Sequence, residues 1–145
     1  MEQQLYGYLQ FEQQLLQEML RLADKQQSAL VNYHISELSE ITSYQEAIIK
    51  NIRQAEEKRI SLLMQWLGVS RKEAATLKLS NLEEKIENEE VCAEIKKMRK
   101  TLRGMIDQLH NLNSTNRLLT NRARTNIKDM MEYITGGRTV CNVEV

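Results

Sequence analysis

The sequence predicts an all-α fold, an elongated antiparallel three-helix bundle or coiled coil with a short helical insert between its second and third helices. Three observations carry this. The 145 residues include no proline and five glycines, and 28% are charged against 5% aromatic, a composition of long solvated helices and not of sheets. Apolar residues recur at steps of three and four along three long stretches, the period of a helix that buries one face. The period breaks where turn and cap signals cluster, at Val31–His34, Gly68–Ser70 and Gly136-Gly137. A chain of this length makes one domain with one core.

The first helix is predicted over about Glu2 to Leu30. Leu5, Leu9, Leu16, Leu20, Ala23 and Leu30 form its stripe, and Tyr8, Leu15, Met19 and Leu22 widen it enough to touch two neighbours. The phase breaks at Val31-Asn-Tyr-His34, and so short a turn forces an antiparallel hairpin. The second helix spans about Ile35 to Leu67, with Leu38, Ile41, Gln45, Ile48, Ile52, Ala55, Arg59, Leu62 and Trp66 on its stripe and Gly68 as its terminator. Gln45 and Arg59 read as stems that pack while their polar ends turn outward or meet Glu partners. Trp66 reads as a plug at the end of the bundle.

The insert covers residues 70–87. Ser70 and Glu73 have capping-box spacing and predict a helix to about Leu77, and Ser80-Asn-Leu-Glu83 repeats the signal. From Asn88 or Glu89 the pattern is unbroken to Ile134, a rod of about 65–70 Å. Val91, Ile95, Met98, Leu102, Met105, Leu109, Leu112, Asn116, Leu119 and Ala123 share its stripe. The bundle is thus expected over 1–135, with 136–145 as an extended tail.

The lengths do not match. Two helices of about 30 residues face one of about 45, so the last dozen residues of the third should project beyond the hairpin. Ile127, Met130, Met131 and Ile134 would then lack internal partners, and an uncovered apolar stripe marks a binding surface. Methionine suits one that accepts more than one ligand. Asn113, Asn116, Leu119, Ala123, Ile127, Met130 and Ile134 are expected to form a continuous strip, increasingly exposed toward the C-terminal end.

Other classes of function find little support. Twenty basic residues balance twenty acidic ones, so no net field draws nucleic acid or anionic lipid. No stretch approaches the roughly 20 apolar residues of a membrane helix, and Met1-Glu-Gln-Gln lacks the basic and apolar regions of a leader. Cys92 and Cys141 lie far apart without CxxC spacing, which argues against a disulfide framework and for a reducing cytoplasm. His34 and His110 belong to no catalytic signature, so no enzyme and no cofactor are expected. Asp107-Gln-Leu-His110 has the spacing of half a di-iron motif, but no second pair exists. No metal site is expected, and His110 reads as a surface residue.

Asn116 is the odd residue of the stripe. In coiled coils a single seam asparagine sets register, and that is its plainer reading. Asn113, Asn121 and Asn126 add three more of a poor helix former nearby. Four asparagines exceed what register requires, and their amides can bond an incoming segment.

The run Leu109-x-x-Leu112-Asn113-x-x-Asn116-x-x-Leu119 resembles the last-helix signature of the FlgN family of flagellar export chaperones. Lys25-Gln-Gln-Ser-Ala-Leu30, Glu56-Glu-Lys-Arg59-Ile60 and Trp66-Leu-Gly-Val-Ser70 follow in the matching order. The resemblance implies a cytoplasmic, non-enzymatic chaperone of type III secretion. Its clients would be the hook-associated proteins FlgK and FlgL, whose C-terminal segments it would shield and deliver to the export apparatus. Client-binding residues would be Leu112, Asn113, Asn116, Leu119, Ala123, Ile127, Met130 and Ile134, in a helix-in-groove mode. Without client, the same apolar end could form a homo-oligomer. The chain departs from the family at one place. Many members carry a Tyr-Gly-x-x-Gly run on an extended tail, associated with docking at the export gate, whereas Tyr133-Ile-Thr-Gly136-Gly137 follows Asn116 closely and is expected still on the helix. The rival readings are a structural coiled coil that pairs with itself, and another small helical export component, FliT-like or FliJ-like.

Overall fold

The structure, a computed structural model, describes residues 1–136; of the expected tail at 136–145, all but Gly136 lies outside the described residues. The chain is all-α, with α1 at Glu2–Val31, α2 at Ile35–Leu67, α3 at Arg71–Thr76, α4 at Leu79–Glu83 and α5 at Glu89–Thr135. The α1–α2 turn takes three residues. Asn32 donates to Ser28 O through its backbone at 3.1 Å and its side-chain amide at 2.9 Å, and His34 N–H donates to Ala29 O at 2.9 Å. Tyr33 holds φ at 56°, a left-handed conformation costing about 1 kcal/mol for a residue with a side chain. Gly68 ends α2 at φ 65°, its N–H donating to Met64 O at 3.0 Å.

Hydrogen bonds between helices give their directions. Gln45 meets Gln26 and Arg59 meets Glu12, so α1 and α2 run antiparallel. The Glu2 carboxylate accepts from Glu87 N–H at 2.8 Å and Asn88 N–H at 3.2 Å, and at the other end Asn126 Nδ2 donates to Tyr33 Oη at 3.3 Å. Therefore α5 runs parallel to α1 and antiparallel to α2. The two outer helices both pack along α1, while no Cα of α2 lies within 8 Å of one of α5. A shallow groove is left between them, with α1 as its floor.

The core falls into two clusters. Near the insert, Leu5 and Leu9 of α1, Ile60, Leu62 and Leu63 of α2, Ala74, Leu82 and Ile86 of the insert, and Val91, Ile95, Met98 and Leu102 of α5 pack together. The second cluster joins Leu15, Met19, Leu22 and Ala29 to Ile41, Ile48 and Ala55, and from α5 it draws only the half-buried Leu109. Fully burying such a side chain contributes about 1.5–3 kcal/mol. Leu16 and Leu20, expected on the α1 stripe, are half-buried, and Leu15, Met19 and Leu22 take the interior instead. A helix serving two neighbours centres its buried arc between them, off the line of any one stripe.

In the insert, Ser70 Oγ accepts from Glu73 N–H and the Glu73 carboxylate from Ser70 N–H, both at 3.2 Å, the reciprocal cap that the spacing predicts. The second cap differs. Lys78 N–H donates to Asn81 Oδ1 at 3.3 Å, so α4 starts at Leu79 and Ser80 lies inside it. Trp66 is half-buried, packed against the first cluster beside Leu67, Val69 and Leu77.

Candidate functional site

Beyond Met105 the packing of α5 changes. Between Ile106 and Gly136 one residue is buried, and it is Asn116, 4% exposed. The seam residues Leu109, Leu112, Leu119 and Ala123 are half-buried. The hairpin ends where Tyr33 meets Asn126, so Ile127–Thr135 projects past it, roughly 13 Å of helix at the usual rise. Exposure rises from 49% at Ile127 to 62% at Met130 and 69% at Ile134, whereas Met131, also expected to be uncovered, is half-buried. Val31, Tyr33 and Ile35 at the hairpin turn are also exposed, so both parts of this end present apolar surface.

The expected strip is interrupted at Asn116. It is buried between an exposed Asn113 and a half-buried Leu119, because its side chain turns toward α1. Asn116 Nδ2 donates to Ala23 O at 2.9 Å and to Gln26 Oε1 at 3.3 Å. Gln26 Oε1 also accepts from Gln45 Nε2 at 3.0 Å. Three carboxamides thus tie α5, α1 and α2 together at one level, the geometry of a register-setting asparagine. Asn113 and Asn121 instead border the groove between α2 and α5, and Asn126 caps the turn by holding Tyr33. Gln45 carried a sequence signal as a polar residue on an apolar stripe, and Gln26, three residues after Ala23 and four before Leu30, stands at the same kind of position on α1.

The groove at this level encloses about 350 Å³. Met19 and Gln26 are contributed by α1, Gln45 and Ile49 by α2, and Asn113, Asn116 and Arg117 by α5. Its chemistry is carboxamide and aliphatic with one cation, suited to holding a polypeptide by hydrogen bonds and apolar contact. Arg59, on the other half of α2, donates to the Glu12 carboxylate at 3.1 Å, which accounts for a charge on the stripe. His110 is exposed on α5, and His34 lies 3.2 Å from the Glu37 carboxylate. Among the described residues no His, Cys, Asp and Glu group could hold a metal ion, and no helix is long and apolar enough to cross a membrane.

The family model described as FlgN protein matches residues 1–143, nearly the whole chain. The chain belongs to the FlgN family. No curated protein and no solved structure matches it. FlgN proteins act as flagellar export chaperones, and the architecture suits that work: a stable hairpin carries a longer helix whose far end is uncovered. Tyr133 lies two residues before the end of α5, on the helix as expected, and is 91% exposed.

Proposed function

We propose that this FlgN protein binds the C-terminal segments of the hook-associated proteins FlgK and FlgL in the cytoplasm, keeps them from assembling early, and hands them to the export apparatus. The uncovered apolar stripe Ile127, Met130 and Ile134 carries the reading, since apolar groups held away from the core contribute nothing to the fold and gain only when a partner covers them. Leu112, Leu119 and Ala123 continue the stripe down into the bundle, half-buried, and Asn113 flanks it. An amphipathic client helix lying along α5 would cover this line, folding as it binds.

The test is a titration with fluorescently labelled C-terminal peptides of FlgK and FlgL. Saturable binding at micromolar concentration or tighter is the expected result. Absence of binding, together with a homodimer that survives dilution, would favour the reading of a self-pairing coiled coil, whose interface would be the same stripe.

A further inference from the structure

Asn116 carries one more polar atom than the bundle uses. Its Nδ2 is engaged by Ala23 O and Gln26 Oε1, while its Oδ1 is shielded from solvent and has no hydrogen-bond partner. Rotating the amide by half a turn does not help, because Oδ1 would then face two acceptors. Leaving a buried acceptor unpaired is costly, and an aliphatic residue would pack this seam without that cost. Asn116 borders the groove between α2 and α5. On the same wall, one turn to either side of Arg117, stand Asn113 and Asn121. Arg117 makes no ion pair among the described residues. From Asn113 to Lys128 the chain carries Arg117, Arg122, Arg124 and Lys128 and no acidic residue, although its net charge is zero.

We propose that this groove is a second seat for the partner polypeptide, taking a segment that presents a carboxylate to Arg117 and, as it parts the side chains that shield that atom, an N–H or O–H donor to Asn116 Oδ1. The proposal rests on the chaperone reading above for the identity of the partner. It divides the work along α5. The apolar stripe beyond Asn126 holds the greasy part of the client, and the groove below it reads the client's charge and polar groups. Met19 and Ile49 give the segment an apolar floor and flank, and the basic band speeds and orients the approach of an acidic chain.

The labelled FlgK and FlgL peptides are titrated into the parent, the Arg117→Glu variant and the Ile127→Ser/Met130→Ser variant, with side-chain amide signals followed by NMR. Arg117→Glu should weaken binding by about tenfold or more. Peptides with every Asp and Glu changed to Asn and Gln should bind parent and Arg117→Glu alike. The Asn116, Gln26 and Gln45 amide signals should move with the unmodified peptides. If Arg117→Glu binds within about twofold of the parent, its amide signals still, while the double serine variant loses binding, the groove is no seat and the chaperone reading stands. If the parent binds neither peptide, the chaperone reading fails for these clients and the groove as a seat for them is overturned with it.

Discussion

At the residue scale, the glycines of this chain divide by backbone conformation. Gly68 holds φ at 65°, and a Cβ there would meet open space, so Gly68→Ala should cost about 1 kcal/mol through backbone strain alone. Gly7 and Gly104 lie inside α1 and α5 with nothing within 4 Å of an added Cβ. Alanine at either should therefore add about 0.5–1 kcal/mol by limiting the freedom of the unfolded chain. Urea unfolding of the three variants checks both signs. Core residues behave differently. Leu102 packs in the cluster nearest the insert, and Leu102→Ala should cost about 2–5 kcal/mol as a cavity opens, with peptide affinity little changed while the bundle stays folded.

At the element scale, α5 is one helix with two kinds of attachment. Its first half is bolted into the core by Val91, Ile95, Met98, Leu102 and Met105, and Arg99 pairs with the largely buried Glu83 carboxylate of α4 at 2.6 Å. Its second half is held by half-buried side chains and the Asn116 amide. Amide hydrogen exchange should therefore be slowest near Ile95–Leu102 and fastest along Ile127–Thr135, since local opening is easiest where little apolar surface is buried. The Ile127→Ser/Met130→Ser variant should melt within a degree or two of the parent, because exposed side chains contribute little to folding. The same pair should weaken client peptide by about 2–4 kcal/mol, each apolar anchor being worth roughly 1–2 kcal/mol or more. Loss of thermal stability comparable to Leu102→Ala would instead place the projection inside the fold.

At the scale of the whole molecule, the hairpin acts as a splint. Glu2 anchors the start of α5 to the start of α1, and the Asn126–Tyr33 bond marks where the splint ends. A chain stopped after Asn126 keeps both core clusters and should retain the parent's helical cooperativity and nearly its melting temperature, measured by circular dichroism, while losing most client affinity. A truncation that unfolds the bundle would contradict that division. Much of this plan was legible beforehand, since the helix ends at Leu67 and Gly68 and the reciprocal cap at Ser70 and Glu73 follow from local chemistry. So does the length mismatch, because rise per residue is nearly constant, and the climb in exposure from Ile127 to Ile134 follows from it.

What the sequence by itself determined was the class of fold, the extent of each long helix, the projecting end and, through the Asn-x-x-Asn segment, the family. Each of these depends on interactions within a few residues or on a repeated period. Tertiary structure alone decided which helix stands in the middle, and with that which side chains turn inward. Only because α1 serves two neighbours do Leu15 and Met19 displace Leu16 and Leu20 from the core, and does a groove open between α2 and α5. Asn116 meets Ala23 and Gln26, ninety or more positions earlier, a pairing that no local period specifies. Periodicity reports which face of a helix is apolar, but not the stagger between helices. That stagger, which sets one amide against another, is fixed by packing across the whole bundle.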